Sequence, residues 1–381
     1  MENLKNLFLL DEEVIFLNHG SFGACPRPVF EKYQAWQRAL ERQPVEFLGR
    51  RANQLLARVR SHLAQFVGCL PDEVVYFPNP TTAINMVARN LSLQPGDEIL
   101  TTDHEYGAMD RTWRSICRKV GAVYRQQPIP LPLNSREEFL ATLRAGLTER
   151  TRLIFLSHIT SPTALIFPVD EVCRMAREAG VLCIVDGAHA PGQIDLNLAE
   201  LDVDLYAGAC HKWLMAPKGA AFLYARPQVQ PWLDPLVVSW GYESEYPSNS
   251  QYIDYHEWQG TRDISPFLTV PAAIAFQKDH RWADVRQRCH KLAAETRERI
   301  NAITGLPSIC PSSPEWFAQM CSIRLPKQTD LERLKTSLYD DYRIEVPTIL
   351  WNGQKFLRVS FQGYNDQEDA DRLISALERL I

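Results

Sequence analysis

The sequence has 381 residues, which is long enough for a large hydrophobic core and predicts two or three domain-sized units. Its 45% apolar and 23% charged residues are ordinary for a soluble globular protein, and the formal net charge of -5 provides no basic surface for nucleic acid. No stretch is apolar for long enough to span a bilayer. From the charge we expect no nucleic-acid partner, and from the apolar lengths we expect no membrane partner.

The nine cysteines are scattered, and no two of them form a C-x-x-C pair. An odd number without paired spacing predicts neither a disulfide framework nor a zinc knuckle, so we expect free thiols in a reducing compartment. The stretch "MENLKNLFLLDEE" contains an apolar run too short for a signal peptide. These features predict a cytoplasmic protein.

The middle of the chain alternates short apolar runs with longer amphipathic segments. Apolar runs with little polar alternation are typical of strands buried on both faces. Strands are predicted at 73–77, 97–102, 152–157, 181–186, 202–208 and 219–225, and helices at 81–91 and 170–180. This succession of strands and helices predicts a largely parallel sheet covered by helices.

The pattern changes after about residue 262. A long amphipathic helix is predicted at 282–303, strands at 319–325 and 355–362, and a closing helix at 366–381. We interpret this part as a second α/β domain, which joins the first near "GTRDISPFLT" (260–269).

Polar residues follow several predicted strands, at the edge where parallel sheets bind their ligands. Thr81 and Thr82 open the first predicted helix, where hydroxyls and free N–H groups suit a phosphate, although an ordinary N-cap uses the same residues. Tyr106, after the second strand, is either a ring that covers a planar ligand or a rim aromatic. Ser161, after the third strand, is a candidate hydrogen-bond donor.

A carboxylate ends the fourth predicted strand, since Asp186 follows an apolar run directly. A buried carboxylate requires a partner, which a metal ion or a protonated ring nitrogen supplies; a helix cap is the purely structural alternative. His189 lies three residues further on, and His211 and Lys212 follow the fifth strand. Lys212 stands between a run of small residues and a bulky tryptophan.

Pyridoxal phosphate is one ligand that accounts for all these side chains. Its phosphate requires a helix start and hydroxyls, its ring a stacking face, its ring nitrogen a carboxylate, and its aldehyde a lysine that forms a Schiff base. Small residues before the lysine would let the backbone pass close to the cofactor. The sequence therefore predicts a pyridoxal-phosphate site around Asp186 and Lys212.

Seven short motifs are spread along most of the chain: "LNHGSFG" (17–23), "NPTTAIN" (79–85), "DHEYGA" (103–108), "DGAHAPG" (186–192), "CHKWLMAPKG" (210–219), "GTRD" (260–263) and "LRVSFQGYN" (357–365). In this order they resemble the fold-type I pyridoxal-phosphate enzymes of aminotransferase class V, and within them the isopenicillin N epimerase-like proteins. The resemblance implies an α/β fold with a mainly parallel seven-stranded sheet in a large cofactor-binding domain, residues 21–261. It implies a smaller α/β domain formed by residues 1–20 and 262–381.

The resemblance also implies a role for each matching residue around the cofactor. Lys212 would form the Schiff base and later move protons at the substrate α-carbon, and Asp186 would pair with the ring nitrogen. Tyr106 would cover the ring, and His189 would lie near the ring hydroxyl. The phosphate would be held by Thr81, Thr82 and His211.

A substrate site and a homodimer are implied in the same way. Arg358 would hold the α-carboxylate of an amino-acid-type substrate in a bidentate geometry. Asn18 and His19 would line the substrate entrance. Thr261 would reach the phosphate in the neighbouring subunit.

Two departures from the cysteine desulfurases of this family bear on the reaction. Ala209 stands where they carry a serine, and residues 342–356 lack the cysteine of their mobile loop. Cys310 and Cys321 lie too far upstream to replace it. A persulfide-forming desulfurase is therefore not expected.

Three hypotheses about function remain open at this point. The first is a pyridoxal-phosphate enzyme that acts at an amino-acid α-carbon, as an epimerase or alternatively as a C–S lyase or aminotransferase. In an epimerase, Tyr106 would be either the acid opposite Lys212 or only a stacking ring. The second is a metal-dependent hydrolase with Asp186, His189 and His211 as ligands. The third is a cofactor-free binding protein.

Overall fold

The computed structural model of the chain describes residues 4–381. Within them, the strands β1 to β12 are, in chain order, Ile15–Phe16, Val74–Phe77, Glu98–Thr102, Val123–Gln127, Thr151–Ser157, Leu182–Gly187, Leu205–Ala209, Ala221–Ala225, Met320–Leu325, Ile344–Glu345, Thr348–Trp351 and Gln354–Ser360.

The helices within residues 4–381 are mostly short and amphipathic. The α-helices α1 to α14 are, in chain order, His19–Phe22, Arg27–Arg42, Ala52–Val67, Pro80–Asn90, Gly107–Val120, Arg136–Arg144, Val169–Ala179, Leu198–Leu201, Gln251–Glu257, Ser265–Leu268, Val270–Asp279, Trp282–Thr304, Leu331–Asp340 and Gln367–Leu380. A π-helical segment lies at Val45–Arg51, and 3₁₀ turns lie at Lys5–Leu7, Pro71–Glu73 and Gln230–Trp232. No helix in the described part of the chain has both the length and the apolar character that crossing a membrane requires.

A seven-stranded sheet forms the centre of the fold, in the order β2-β8-β7-β6-β5-β3-β4. The neighbours from β7 to β4 are parallel, whereas β8 runs antiparallel to both β7 and β2. Every residue of β2, β3, β7 and β8 is buried, as expected for strands covered on both faces. The predicted mainly parallel seven-stranded sheet is confirmed.

The sequence locates six of these seven strands, with differences of a few residues at their ends. The strand that it misses is β4, whose sequence "VYRQQ" contains no apolar run. β4 lies at the edge of the sheet, and each of its residues is exposed or half-buried. An edge strand therefore lacks the apolar signal on which the other six predictions depend.

The C-terminal part of the chain forms a smaller layer. β9, β11 and β12 make an antiparallel sheet in the order β11-β12-β9, and α12 packs against β9 and α14. The predicted long helix and closing helix are thus present. β1 pairs in parallel with β10, which holds the N-terminal segment against this layer. The division of the chain into domains at residues 261 and 262 stays a prediction.

The carboxyl ends of β5, β6 and β7 meet at one edge of the large sheet. Ser157, the last residue of β5, pairs in register with Asp186 on β6, and Asp186 pairs with Ala207 on β7. The chain reaches Lys212 immediately after β7 ends. The parallel register therefore brings the predicted carboxylate and the predicted lysine to the same edge.

A buried ion pair joins α3 to α9. Nη1 of Arg60 contacts Oε1 of Glu257, and Nε of Arg60 donates to the carbonyl oxygen of Pro71 at 3.0 Å. Both charged side chains are almost completely buried. Burial raises the pKa of Glu257, and the charge of Arg60 opposes that shift. Each ion therefore depends on the other to remain in the interior.

We expect Glu257→Ala to lower the free energy of unfolding by about 3–5 kcal/mol, because Arg60 then keeps a buried charge without its partner. Chemical denaturation followed by circular dichroism measures the loss. The double variant Arg60→Met/Glu257→Leu is the control, since it removes both charges, and we expect it to lose less stability. A double variant that loses more stability than Glu257→Ala would contradict this account.

Candidate active site

A cavity of about 160 Å³ lies at the carboxyl edge of the large sheet. Its lining residues are Ser21, Phe22, Asn79, Pro80, Thr81, Tyr106, Ser157, Ile159, Ser161, Asp186, Ala188, His189, His211 and Lys212. They come from α1, from the starts of α4 and α5, and from the ends of β5, β6 and β7. Seven residues predicted for the site from the sequence lie in this wall: Thr81, Tyr106, Ser161, Asp186, His189, His211 and Lys212.

The amine of Lys212 is buried at the cavity. Burial lowers its pKa from 10.5 to about 8; the positive charge of Arg358 acts in the same direction, whereas the carboxylate of Asp186 raises it. At pH 7 an amine with this pKa is uncharged in about one molecule in ten, against about one in three thousand at the ordinary value. Lys212 can therefore act as a nucleophile or as a base near neutral pH.

Asp186 provides a buried carboxylate at the end of β6. Its Oδ1 accepts a hydrogen bond from the backbone N–H of Ala188 at 2.9 Å. Burial raises the pKa of Asp186, and both this hydrogen bond and the charge of Lys212 oppose the rise. The carboxylate therefore faces the cavity with one oxygen already held in place.

His189 contacts both Lys212 and Trp213, the residue that follows the lysine in the sequence. Its Nε2 is 3.2 Å from Nζ of Lys212, and its Nδ1 accepts a hydrogen bond from Nε1 of Trp213 at 3.2 Å. Burial lowers the pKa of His189 well below its ordinary value, and the charges of Lys212 and Arg358 lower it further. The imidazole is therefore neutral.

Thr81 and Thr82 have different surroundings, although both stand at the start of α4. Thr81 lines the cavity. The hydroxyl of Thr82 donates to Oδ1 of Asn79 at 3.0 Å, and its N–H donates to the same oxygen at 2.8 Å. Asn79 is therefore the N-cap of this helix, and the interpretation of this segment as an ordinary cap applies to Thr82.

His211 directly precedes Lys212 in the sequence and lines the cavity. Its Nδ1 donates to the carbonyl oxygen of Ala220 at 3.0 Å, which leaves Nε2 without a partner in the described residues. Burial lowers the pKa of His211 to about 4, and the charges of Lys212 and Lys218 contribute to the shift. An anion beside this ring would raise that pKa again.

Arg358 is not among the lining residues, but it holds two of them. Nη1 donates to the carbonyl oxygen of Ser161 at 2.7 Å and to its hydroxyl at 3.2 Å, and Nη2 donates to Oγ of Ser21 at 3.1 Å. Its Nε is buried and has no partner in the described part of the chain. Burial lowers the pKa of Arg358 to about 10, so the guanidinium is still charged at neutral pH.

Five of the predicted residues do not line the cavity: Thr82 and Arg358, which are described above, and His19, Asn18 and Thr261. His19 is completely buried and donates from Nε2 to the backbone carbonyl of Lys212 at 3.1 Å. Asn18 accepts from the hydroxyl of Ser21 at 2.6 Å and donates to Glu345 at 2.8 Å. Thr261 is exposed and does not belong to the lining of this subunit's cavity.

Ser21, Ser157 and Glu105 were not predicted as site residues from the sequence. The carboxyl group of Glu105 accepts from the hydroxyls of Thr102 and Ser157, each at 2.7 Å. Burial raises the pKa of Glu105 to about 8, and the nearby Asp186 contributes to the rise. Glu105 belongs to the motif "DHEYGA", but only the fold shows that its side chain is buried under the cavity.

Two glycines near the carboxyl ends of β6 and β7, Gly187 and Gly208, have a structural explanation. A Cβ on Gly208 would lie 2.4 Å from the ring of Phe222 on β8, and a Cβ on Gly187 would lie 2.0 Å from the ring of Tyr206. Packing against these two rings therefore requires glycine, whatever the cavity binds.

Asp186, His189 and His211 do not form a metal site in this arrangement. No group of three or more His, Cys, Asp or Glu side chains between residues 4 and 381 is placed so that it could hold a metal ion. Nε2 of His189 is directed at the amine of Lys212 instead. The metal-dependent hydrolase hypothesis therefore has no ligand set in the described structure.

The chain is similar to known proteins in sequence and in structure. The family model of Aminotransferase class-V matches residues 24–373. Isopenicillin N epimerase of Amycolatopsis lactamdurans is 40% identical over 99% of this chain and 98% of its own length. A probable chloroplastic L-cysteine desulfhydrase of Arabidopsis thaliana is 29% identical over 97% of this chain and 84% of its own length.

Among solved structures, the apo form of a cysteine desulfurase from Thermococcus onnurineus NA1 has the same fold. It superimposes with a TM-score of 0.85 at 21% identity and covers 100% of this chain and 98% of its own. The predicted fold-type I architecture is confirmed by this likeness.

We expect covalent capture of pyridoxal phosphate by the cofactor-free protein to rise with pH and to be half-maximal near pH 8, because only the uncharged amine of Lys212 attacks an aldehyde. Borohydride trapping followed by mass spectrometry of the peptide that contains Lys212 measures the capture. Asp186→Asn removes the charge that raises the pKa of Lys212, so its midpoint is expected at lower pH.

Asp195→Asn is the matched control, since this exposed carboxylate lies outside the cavity and its loss should leave the midpoint unchanged. A midpoint for the unmodified protein close to the ordinary lysine value would show that the amine is not withdrawn from water.

Proposed function

The chain belongs to the Aminotransferase class-V family of pyridoxal-phosphate enzymes, and on this basis we propose that it epimerises the α-carbon of an amino-acid-derived substrate of the isopenicillin N type. The observation that carries the proposal is that two proton-carrying side chains, Lys212 and Tyr106, line one cavity from different elements. Epimerisation requires one group to remove the α-proton and a second group to deliver a proton to the opposite face.

The side chains of the cavity fit pyridoxal phosphate. Oδ2 of Asp186 accepts no hydrogen bond within residues 4–381, so it is available to a protonated ring nitrogen. Thr81, the start of α4 and His211 would hold the phosphate. His189 would lie at the ring hydroxyl and Tyr106 over the ring, with Ser161 as a further donor. Lys212 would bond to the aldehyde carbon.

When bound, pyridoxal phosphate supplies an electron-withdrawing ring that makes the α-proton of a bound amino acid acidic. The remaining work belongs to the protein's own side chains. Asp186 would keep a negative charge beside the ring nitrogen, and Lys212 would remove or return the proton on its own face of the substrate. The depressed pKa of Lys212 supplies uncharged amine for this step at neutral pH.

Tyr106 is the candidate acid for the second face. It stands at the start of α5, and 47% of its surface is exposed. A phenol in contact with water can exchange its proton with the solvent between turnovers. The position of Tyr106 therefore suits a group that delivers a proton from the solvent side.

Arg358 would hold the α-carboxylate of the substrate. Its guanidinium is charged and buried, and Nε has no partner in the described residues. Ser21 and Ser161 hold the two terminal nitrogens, and Asn18 in turn accepts from the hydroxyl of Ser21. These bonds fix the plane of the guanidinium, which a bidentate contact with a carboxylate requires.

We further propose a homodimer in the cytoplasm. Thr261 is exposed and lies outside the cavity of its own subunit, which suits a residue that reaches the phosphate in a neighbouring subunit. Trp240 is 89% exposed, so it provides apolar surface for such an interface. All nine cysteines are free, which agrees with a reducing compartment.

A C–S lyase is the second candidate function, because the cysteine desulfhydrase relative aligns over 97% of this chain. No cysteine is among the residues that line the described cavity, and Cys310 and Cys321 are buried elsewhere. A reaction that needs a protein thiol as acceptor therefore lacks its nucleophile. A lyase that expels a sulfur group from the substrate itself needs no such thiol.

We expect the enzyme to exchange the α-proton of isopenicillin N for deuterium in heavy water and to form the opposite epimer without a keto acid. Proton NMR follows the exchange, and chiral chromatography follows the epimer. Lys212→Ala should abolish both, because it removes the base. If L-cysteine instead yields pyruvate, ammonia and sulfide while isopenicillin N is unchanged, the enzyme is a C–S lyase.

Tyr106→Phe separates the two roles of that ring. If Tyr106 is the second acid, the variant should lose epimerisation by a factor of about 10² to 10⁴, because the ring remains but its proton does not. Exchange of the α-proton in one epimer should continue, since Lys212 alone serves that face. Equal losses of exchange and epimerisation, or no loss of either, would contradict an acid role for Tyr106.

A further inference from the structure

Trp213, the residue after the reactive lysine, makes a contact that the proposed function does not use. Its indole Nε1–H donates to Nδ1 of His189 at 3.2 Å, and Nε2 of the same imidazole lies 3.2 Å from Nζ of Lys212. Trp213 and His189 are both buried. We infer that Trp213 is a positioning residue that fixes the tautomer of His189 and so keeps an N–H directed at the amine of Lys212.

The tautomer follows from the hydrogen-bonding capacity of each ring. An indole nitrogen can only donate, so Nδ1 of His189 must be the nitrogen without a proton. A neutral imidazole then carries its one proton on Nε2, the nitrogen that faces Lys212. In the other tautomer, the N–H groups of His189 and Trp213 would face each other across 3.2 Å in a buried place.

A doubly protonated imidazole is excluded by the same surroundings. Burial and the positive charge of Arg358 oppose a charge on His189, and a charged Lys212 would oppose it further. Both of its nitrogens would then be donors, and the N–H at Nδ1 would face the indole N–H of Trp213. The neutral tautomer with the proton on Nε2 satisfies both contacts.

The proton on Nε2 determines the state of Lys212 in this contact. His189 is the donor, so the lysine nitrogen must accept, and only an uncharged amine has a lone pair with which to do so. The contact therefore favours the reactive form of Lys212, in the same direction as burial. When pyridoxal phosphate is bound, the same N–H of His189 is available to its ring oxygen.

The position of the indole is held from several sides. The carbonyl oxygen of Trp213 accepts from Nε2 of Gln277 at 2.8 Å, and the ring of His19 packs at 4.9 Å between centroids. The backbone also approaches Gly192, where a Cβ would lie 2.5 Å from the Trp213 carbonyl oxygen. His19 additionally donates to the carbonyl of Lys212. His19, which sequence analysis assigned to the substrate entrance, thus supports the lysine and the tryptophan from behind.

This inference rests on the pyridoxal-phosphate site of the proposed function, but not on the reaction that follows. The test is ¹⁵N NMR of the full-length enzyme, labelled at histidine and carrying its cofactor, with His189→Gln to assign the signals. We expect a protonated Nε2 and an unprotonated Nδ1 for His189 from about pH 6 to pH 9. A proton on Nδ1 would overturn the inference without any variant of Trp213.

Trp213→Phe removes the donor and keeps a ring. Loss of the indole N–H should move the tautomer ratio of His189 by about tenfold toward the form with a proton on Nδ1. Nε2 could then accept from a protonated Lys212, so the midpoint of pyridoxal-phosphate capture should rise by about one pH unit.

Trp113→Phe is the matched control, because Trp113 is also fully buried but its indole N–H has no partner in the described residues. It should leave both the tautomer and the midpoint unchanged. If Trp213→Phe only lowers stability, as Trp113→Phe does, and neither readout moves, Trp213 has only a packing role and the inference is wrong. Absence of epimerisation with the expected tautomer would count against the proposed reaction alone.

Discussion

The burial of a single amine is the constraint on which the rest of this site depends. Desolvation lowers the pKa of Lys212 and raises that of Asp186, so each group is pushed toward its uncharged form. The charge of each one opposes the shift of the other. His189 stands against the lysine and offers it a hydrogen bond that only an uncharged amine can accept. The site thus holds a lysine that is reactive near neutral pH beside a carboxylate that can remain charged.

Segments from both ends of the chain enclose this edge of the sheet. Gly23 approaches the loop so closely that a Cβ would lie 2.2 Å from the carbonyl oxygen of His211, and its φ of +70° is one that glycine adopts without strain. Lys218 donates to the carbonyl oxygen of Gly23 at 2.9 Å. From the C-terminal sheet, Arg358 holds Ser21. The cavity is therefore complete only when the N-terminal segment and the smaller layer are both in place.

The family relationship and the geometry answer different questions. Membership in the Aminotransferase class-V family establishes the cofactor and the type of enzyme, whereas its members carry names for quite different reactions. What differs chemically is the group that meets the substrate after the α-proton has left. In this cavity the proposed candidate for that group is Tyr106, and no thiol is among the described lining residues. That combination is why we place epimerisation before C–S lysis.

The sequence by itself determined the parallel sheet and pointed to candidate residues for the cofactor site, because both depend on local patterns. An apolar run followed by Asp186, or by His211 and Lys212, is visible without any knowledge of the fold. The sequence did not reveal β4, which is an edge strand without an apolar run. It also did not reveal that the hydroxyl of Thr82 bonds to the N-cap Asn79. It placed His19 at an entrance, whereas the ring is buried behind Lys212.

Only the tertiary structure decided which side chains meet across long stretches of chain. Ser21 and Arg358 are 337 positions apart, and His189 and Trp213 are 24 positions apart on different connections of the sheet. Their hydrogen bonds depend on strand register and packing, which no short stretch of sequence records. The reactive lysine could therefore be recognised from its neighbours in the chain, but the groups that set its charge and its orientation could be recognised only from its neighbours in space.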